Sequence, residues 1–310
     1  MNPVWKYQRH IQMKILISGA SGLIGTNLIP TLEAKKHFVC KLVRTPPKAE
    51  DEIQWDAEKG FSDGEKARLE KFDAVIHLAG DNIASENWSD EKKKRIHDSR
   101  VLGTRVLVSA LKDLKDPPET FISASATGFY GDRKDEVLTE ESQPGEGFLP
   151  DTCAAWEAEA RKAESFARVV LMRTGVVLAK DGGALEKMLT PFKFGIGGRV
   201  GNGRQWMSWI AIDDLVSIVN FFLENPGLKG AFNLTAPNPV TNEQFTKALG
   251  RALSRPTILP IPEFAIKLMF GEMGERLLLE GARVLPERLE EAGYKFQYPE
   301  LEPALKHVLN

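Results

Sequence analysis

The stretch Ile15-Leu16-Ile17-Ser18-Gly19-Ala20-Ser21-Gly22-Leu23-Ile24-Gly25 sets three glycines at three-residue spacing between an apolar strand and an apolar helix. Gly19 permits the sharp turn out of the strand, Gly22 lets a pyrophosphate come close to the backbone, and Gly25 lets the helix pack on the sheet. Free backbone N–H groups and the helix dipole at such a turn hold negative charge. A dinucleotide is therefore expected to touch Gly19, Ser21, Gly22, Leu23, Ile24 and Gly25. Three spaced glycines also occur in ordinary tight turns, but here the flanking strand, the helix and the N-terminal position agree.

Outward from this turn, short apolar runs at 14–18, 38–44, 74–78, 120–125 and 167–173 alternate with amphipathic stretches at 22–35, 91–114 and 152–166. Strand–helix–strand alternation with nearly continuous apolar strands predicts a doubly wound parallel sheet of the Rossmann type. Pro30 falls inside the first helix, where it removes a backbone donor and should bend it. The second strand should end near the adenosine ribose, where an acidic residue about 20 positions after the glycines would bind the diol of NAD. This chain has Arg44, 19 positions after Gly25, and no Asp or Glu before Glu50. A guanidinium pairs with a 2′-phosphate through two parallel hydrogen bonds, so NADP(H) is expected rather than NAD(H). The competing reading of Arg44 is a surface charge at a strand end.

The 310 residues suffice for one large or two modest domains at about 150 residues each. Apolar residues at 42% and charged residues at 27% are globular values that exclude disordered and collagen-like classes. The 41 basic and 43 acidic residues give a net charge of −2, with no overall field to attract nucleic acid or an anionic membrane, so neither partner is expected. Two cysteines, Cys40 and Cys153, make no disulfide framework and no zinc spacing, which points to a reducing, cytoplasmic setting and no metal site. No apolar run approaches the roughly 20 residues that cross a bilayer. Residues 1–12 are expected to be a disordered extension, with Met13 a natural start. Residues 13–180 are read as the cofactor domain. Residues 181–310, punctuated by glycines and prolines, form a smaller cap that is allowed to intermix with the first unit.

Beyond the glycines, further segments carry a resemblance: Asp73-Ala-Val-Ile-His77-Leu78-Ala79-Gly80, Phe121-Ile-Ser123-Ala124-Ser125-Ala-Thr-Gly-Phe-Tyr130-Gly131, Arg173-Thr-Gly175-Val-Val-Leu178 and Gly230-Ala-Phe232-Asn233-Leu234. Over nearly all of 13–310 the chain resembles an extended-type short-chain dehydrogenase/reductase. More narrowly, Asp81-Asn82-Ile83, Trp156-Glu157, the 191–203 stretch and Trp209-Ile-Ala-Ile-Asp213-Asp214 look like an atypical epimerase-family subgroup of sugar-nucleotide-epimerase type without a settled reaction. The resemblance implies cofactor contacts at Leu78, Ala79, Gly80, Asn82, Ser123, Ala124 and Arg173. It places the family's catalytic Ser on Ser125 and the 230–234 segment in a late strand of the cap.

The resemblance also marks departures. The family's Tyr, which exchanges a proton, and the Lys four residues later that lowers its pKa fall on Leu149 and Cys153 when Trp156-Glu157 is aligned. Tyr130, five residues after Ser125, is then the candidate replacement, against a reading as a packing residue. Asp132, Asp151, Cys153 and Glu157 are neighbours to consider. The family's Gln-x-Arg, which meets a substrate pyrophosphate, reads Gln205-Trp206-Met207, and a thioether cannot neutralise a diphosphate. Arg199 and Arg204 stand nearby as compensating charges or as surface ones. Trp206, Met207 and Trp209, with Phe192 and Phe194, suggest an aromatic-lined pocket or core packing of the cap. His77 is expected to be a buried, satisfied histidine. The leading functional expectation is an NADP(H)-binding oxidoreductase-like protein acting on a small, relatively apolar substrate. A non-catalytic NADP(H)-dependent binding module follows, and a sugar-nucleotide epimerase ranks last.

Overall fold

Side chains alternate across a strand, and these strands are apolar at nearly every position, so both faces of the sheet must be covered. The computed structural model describes residues 12–310 and shows that arrangement. The expectation for 1–12 therefore lies almost wholly outside the described residues. Seven parallel strands, β1 (Lys14–Ser18), β2 (Phe38–Val43), β3 (Glu52–Gln54), β4 (Ala74–His77), β5 (Thr120–Ala126), β6 (Arg168–Thr174) and β7 (Gly230–Leu234), lie in the order β7-β6-β5-β4-β1-β2-β3. The order reverses at β1. The crevice beyond the carboxyl ends of β1 and β4 is thus the switch point where open α/β sheets bind ligands.

Ile15, Ile17, Ile76, Ile122 and Val170 bury one face of the sheet against helices α1 (Leu23–Ala34) and α5 (Ile212–Glu224). Leu16, Val75, Phe121, Val169 and Leu171 bury the other face, with α2 (Asp90–Lys112) and α3 (Phe148–Arg161) covering it. Helix α2 starts where Ser89 accepts the Lys92 N–H, with Asp90 and Glu91 in the first turn and Lys112 in the last, each charge complementing the helix dipole. Helix α1 runs through Pro30. Helix α3 begins at Phe148, four residues ahead of the expected 152, because Gly147 at φ 104° ends the preceding loop.

Helices α4 (Gly183–Lys193), α6 (Asn242–Leu253), α7 (Glu263–Gly274) and α8 (Leu301–Leu309) build the cap. The segment expected in a strand of the cap, Gly230–Leu234, is instead β7 at the edge of the main sheet, paired with β6 from Gly230 beside Val170 to Leu234 beside Thr174. An apolar strand with one free edge gains a full ladder of backbone hydrogen bonds there, which no cap strand offers it. Of the two readings of the aromatic residues near 206, core packing holds for Phe192, Met207 and Trp209 and the pocket does not. Phe192, Met207 and Trp209 are core residues of the cap packed with Leu185, Phe245 and Leu305, while Phe194 is 78% exposed on the outside. No described helix is long and apolar enough to cross a membrane.

Candidate dinucleotide site

The glycine turn sits at the switch point, and its three glycines have different reasons to be there. Gly19 adopts φ 70°, and a Cβ on it would lie 2.7 Å from the Leu78 carbonyl carbon, so the turn is pressed against the end of β4. A Cβ on Gly25 would lie 2.6 Å from the Gly19 carbonyl oxygen. One on Gly22 would meet only that same oxygen, at 3.3 Å, and stand over the first turn of α1. That turn has no side-chain cap and no acidic residue, so its N–H groups are available to an anion. The geometry fits a pyrophosphate held by the backbone around Gly22, Leu23 and Ile24.

Ser18 lies opposite Leu42 in the register of β1 and β2, which brings Arg44 beside the turn. Its side chain is exposed and has no carboxylate partner among the described residues. Gly80 and Asn82 are exposed beyond β4, with Leu78 and Ala79 half-buried before them. The Asn82 side chain is committed to its own loop, accepting the Ala84 N–H at 2.9 Å. Ser123 is fully buried and turns its hydroxyl to the Ala124 carbonyl, so only the half-buried Ala124 stands near the mouth.

Behind the turn runs a chain of hydrogen bonds whose directions follow from one another. Thr104 Oγ1 donates to the Arg100 carbonyl at 2.5 Å, so it accepts from His77 Nε2 at 3.0 Å. His77 Nδ1 then accepts from Ser18 Oγ at 2.6 Å, and Ser18 Oγ accepts the N–H groups of Leu78 and Ala79. The imidazole is neutral and carries its proton on Nε2. Burial pushes its pKa down from 6.5 to about 4, as expected for a satisfied core histidine. Between those two pH values the unfolded chain binds a proton that the folded chain does not. Stability should therefore fall by about 3 kcal/mol as pH drops through that window. Urea denaturation across the window tests this, and a His77→Gln variant should lose that part of the slope.

The catalytic candidates are drawn into a different structure. Glu157 Oε1 accepts from Ser125 Oγ at 2.7 Å and from Arg173 Nε at 2.8 Å, and its Oε2 accepts from Arg173 Nη2 at 2.9 Å. Arg173 Nη1 donates to the Tyr130 hydroxyl at 3.0 Å and to the Glu140 carbonyl at 3.2 Å. Tyr130 donates onward to Asn233 Oδ1 at 2.7 Å. Tyr130 is fully buried and its pKa is pushed up to about 12 by burial, so it is a strut between β5, β6 and β7 rather than an acid at the mouth. Arg173 likewise faces the interior and not the cleft. The sequence offered Glu157 as a neighbour of Ser125 and Tyr130 but gave no sign that these three share one buried centre with Arg173 and Asn233.

Leu149 and Cys153 lie a turn apart on α3, both against Gly128, where an added Cβ would come within 3.6 Å of the Leu149 Cβ and 3.9 Å of Cys153 Sγ. Burial pushes the Cys153 thiol up to about 12, so it is no nucleophile. Asp132 is paired with Lys134 at 2.5 Å, and Asp151 is exposed in the first turn of α3. One residue that sequence reasoning missed stands here. The Arg100 guanidinium lies against Gly80 and 5.3 Å from the Trp156 ring centre. It donates Nη1 to the Asp81 and Ile96 carbonyls at 3.0 and 3.1 Å and has no carboxylate partner among the described residues. Desolvation holds its pKa below the usual value. A cation beside the β4 end with no ion-pair partner among the described residues can hold the anionic part of a ligand, and its place on the buried face of α2, four residues from Ile96 and from Thr104, was the one sequence signal for it.

A seven-stranded parallel sheet with a glycine turn at its switch point defines a dinucleotide-binding α/β protein. The family model described as the NAD dependent epimerase/dehydratase family matches residues 15–235, and the chain belongs to that family. A second model, a domain of unknown function (DUF1731), matches residues 261–308. An epimerase family protein of Mycobacterium bovis is 44% identical over 295 residues, covering 95% of this chain and 97% of the relative. The human epimerase family protein SDR39U1, solved with NADPH, superposes with a TM-score of 0.87 at 34% identity over 96% of this chain and 99% of that one. A Thermus thermophilus UDP-glucose 4-epimerase solved with NAD has a TM-score of 0.74 at 19% identity, over 96% and 98% of the two chains, a likeness of fold.

Proposed function

We propose that the chain is an NADP(H)-binding, oxidoreductase-like protein that acts on a small, relatively apolar substrate. The observation that carries the cofactor is the pairing of an open, uncapped glycine turn with an exposed Arg44 that has no carboxylate partner among the described residues, where an acidic residue would favour NAD(H). The NADPH in the 34% identical human structure supports it. When bound, the cofactor supplies a hydride. The chain's own residues hold the pyrophosphate at Gly22 to Ile24, the 2′-phosphate at Arg44 and further negative charge at Arg100. Leu149 and Cys153, where the resemblance would put the family's proton-transferring pair, make this part of α3 apolar, which supports the choice of an apolar substrate over a sugar nucleotide. Two buried thiols, Cys40 and Cys153, suit a reducing compartment such as the cytoplasm.

One observation favours a second reading, a binding module that takes up NADP(H) without turnover. Ser125 is committed to Glu157, and Tyr130 is sealed in the core, so neither is free to move a proton. Calorimetry should show NADPH binding, and incubation with a panel of small aldehydes and ketones should then oxidise it. Binding without oxidation across the panel would replace the first reading by the second. Failure to bind either NADPH or NADP⁺ would remove both.

A further inference from the structure

Two stretches of the cap contain no carboxylate. Residues 187–212 carry Lys187, Lys193, Arg199 and Arg204, residues 244–262 carry Lys247, Arg251 and Arg255, and neither has an Asp or Glu. The net charge of −2, on which the absence of a membrane partner was expected, hides this local asymmetry. The fold lays the two stretches side by side. Ile261 donates its N–H to the Arg199 carbonyl at 2.8 Å, Gly201 donates to the Ile261 carbonyl at 2.9 Å, and Arg255 Nε donates to the Lys193 carbonyl at 3.0 Å.

Along this paired edge Phe194, Ile196, Ile258 and Leu259 are 78, 60, 84 and 62% exposed. Helix α7 follows directly and turns Phe264, Leu268 and Met269 outward, while Ile266 is buried on its inner side. That inner side is held: Asn87 Nδ2 donates to the Met269 carbonyl at 3.1 Å, and Lys93 pairs with Glu272 at 2.7 Å. Of nine strongly exposed large apolar side chains among the described residues, seven fall in these segments, far more than scattered surface exposure produces. Of the carboxylates that bound the two stretches, Glu243 pairs with Lys247 at 2.8 Å, Glu263 with Lys267 at 2.9 Å and Asp213 lies 3.2 Å from His307, while Glu186 is exposed; Arg251 is itself paired with Glu302. Lys193 and Arg255 are exposed and have no carboxylate partner among the described residues.

We propose that this face of the cap docks on an anionic lipid surface. Phe, Ile and Leu side chains enter the boundary between headgroups and acyl chains, and a cationic rim meets the headgroups. A two-fold contact with a second copy would offer Lys193 and Arg255 the same two stretches, which contain no carboxylate to meet them. With no described helix able to cross a bilayer, the attachment is peripheral.

Sedimentation of the full chain with vesicles tests this. The protein should pellet with vesicles of phosphatidylcholine and phosphatidylserine in equal parts at low salt, come off at high salt, and stay in solution with phosphatidylcholine alone. The double variants Lys193→Glu with Arg255→Glu and Phe194→Ser with Ile258→Ser should each bind about tenfold or more weakly, with an unchanged thermal melt, while Lys59→Glu has no effect. No sedimentation with either vesicle, equal sedimentation of the wild type and the double variants, or a dimer that Phe194→Ser with Ile258→Ser dissolves in place of any vesicle binding would overturn the proposal.

Discussion

Replacing Arg44 by Ala should weaken NADPH binding by roughly 10- to 100-fold and leave NADH binding nearly unchanged. The asymmetry follows from where the residue sits. Register places Arg44 beside the glycine turn, past the end of β2, exposed and held by no carboxylate among the described residues. Only the phosphorylated cofactor gives it a dianion to grip, and a planar fork meets phosphate oxygens in pairs. Arg44→Lys keeps the charge and loses the fork, so it should fall between the wild type and the Ala variant. Calorimetric titration of each variant with both cofactors gives the ratio. Equal weakening of the two cofactors would mean that Arg44 supports the turn itself and selects nothing.

The second large effect is on stability. Glu157 and Arg173 are each about 5% exposed in their side chains, so removing one leaves the other charge in a medium that cannot solvate it. Glu157→Ala should cost about 3 to 5 kcal/mol and lower the melting temperature by roughly 10 °C at neutral pH. Glu157→Gln keeps the volume and the hydrogen bond from Ser125 but still strands the guanidinium, so most of the loss should persist. Ser125→Ala removes one hydroxyl from a carboxylate that keeps both bonds to Arg173, and should cost only about 1 kcal/mol. Thermal and urea melts of the three variants rank them. A Glu157→Ala protein as stable as the wild type would show that the pair is not a structural centre.

The sheet and its phosphate turn were legible because both are local. A run of apolar residues reports burial on two faces without reference to any partner, and the three glycines, all within eleven residues, report backbone angles and the need for close approach even where, as at Gly19, the approaching group is Leu78 of a distant strand end. The long helices were legible in the same way, apart from the start of α3, which a single glycine moved. The buried polar centre was not legible, because Ser125, Tyr130, Glu157, Arg173 and Asn233 come from five separate elements and meet only when those elements are packed. Tyr130 looked available as an acid for the same reason, since sequence distance from Ser125 says nothing about the direction of a side chain. The aromatic residues near 206 suggested a pocket because large apolar side chains line cavities and fill cores alike, and only packing tells the two apart. Strand β7 was assigned to the cap by the resemblance of its segment to a late cap strand, while its ladder partner lies 60 residues earlier.

The path by which β7 reaches the sheet governs how the polypeptide assembles as it leaves the ribosome. The edge of β6 stays bare until residue 234 has emerged, because everything between is committed to the cap or to α5. Asn233, which accepts from Tyr130, also donates Nδ2 to the Leu285 carbonyl at 2.9 Å, a group made some fifty residues later. The nascent N-terminal half therefore cannot mature alone, and an arrested chain would display an open strand to its neighbours.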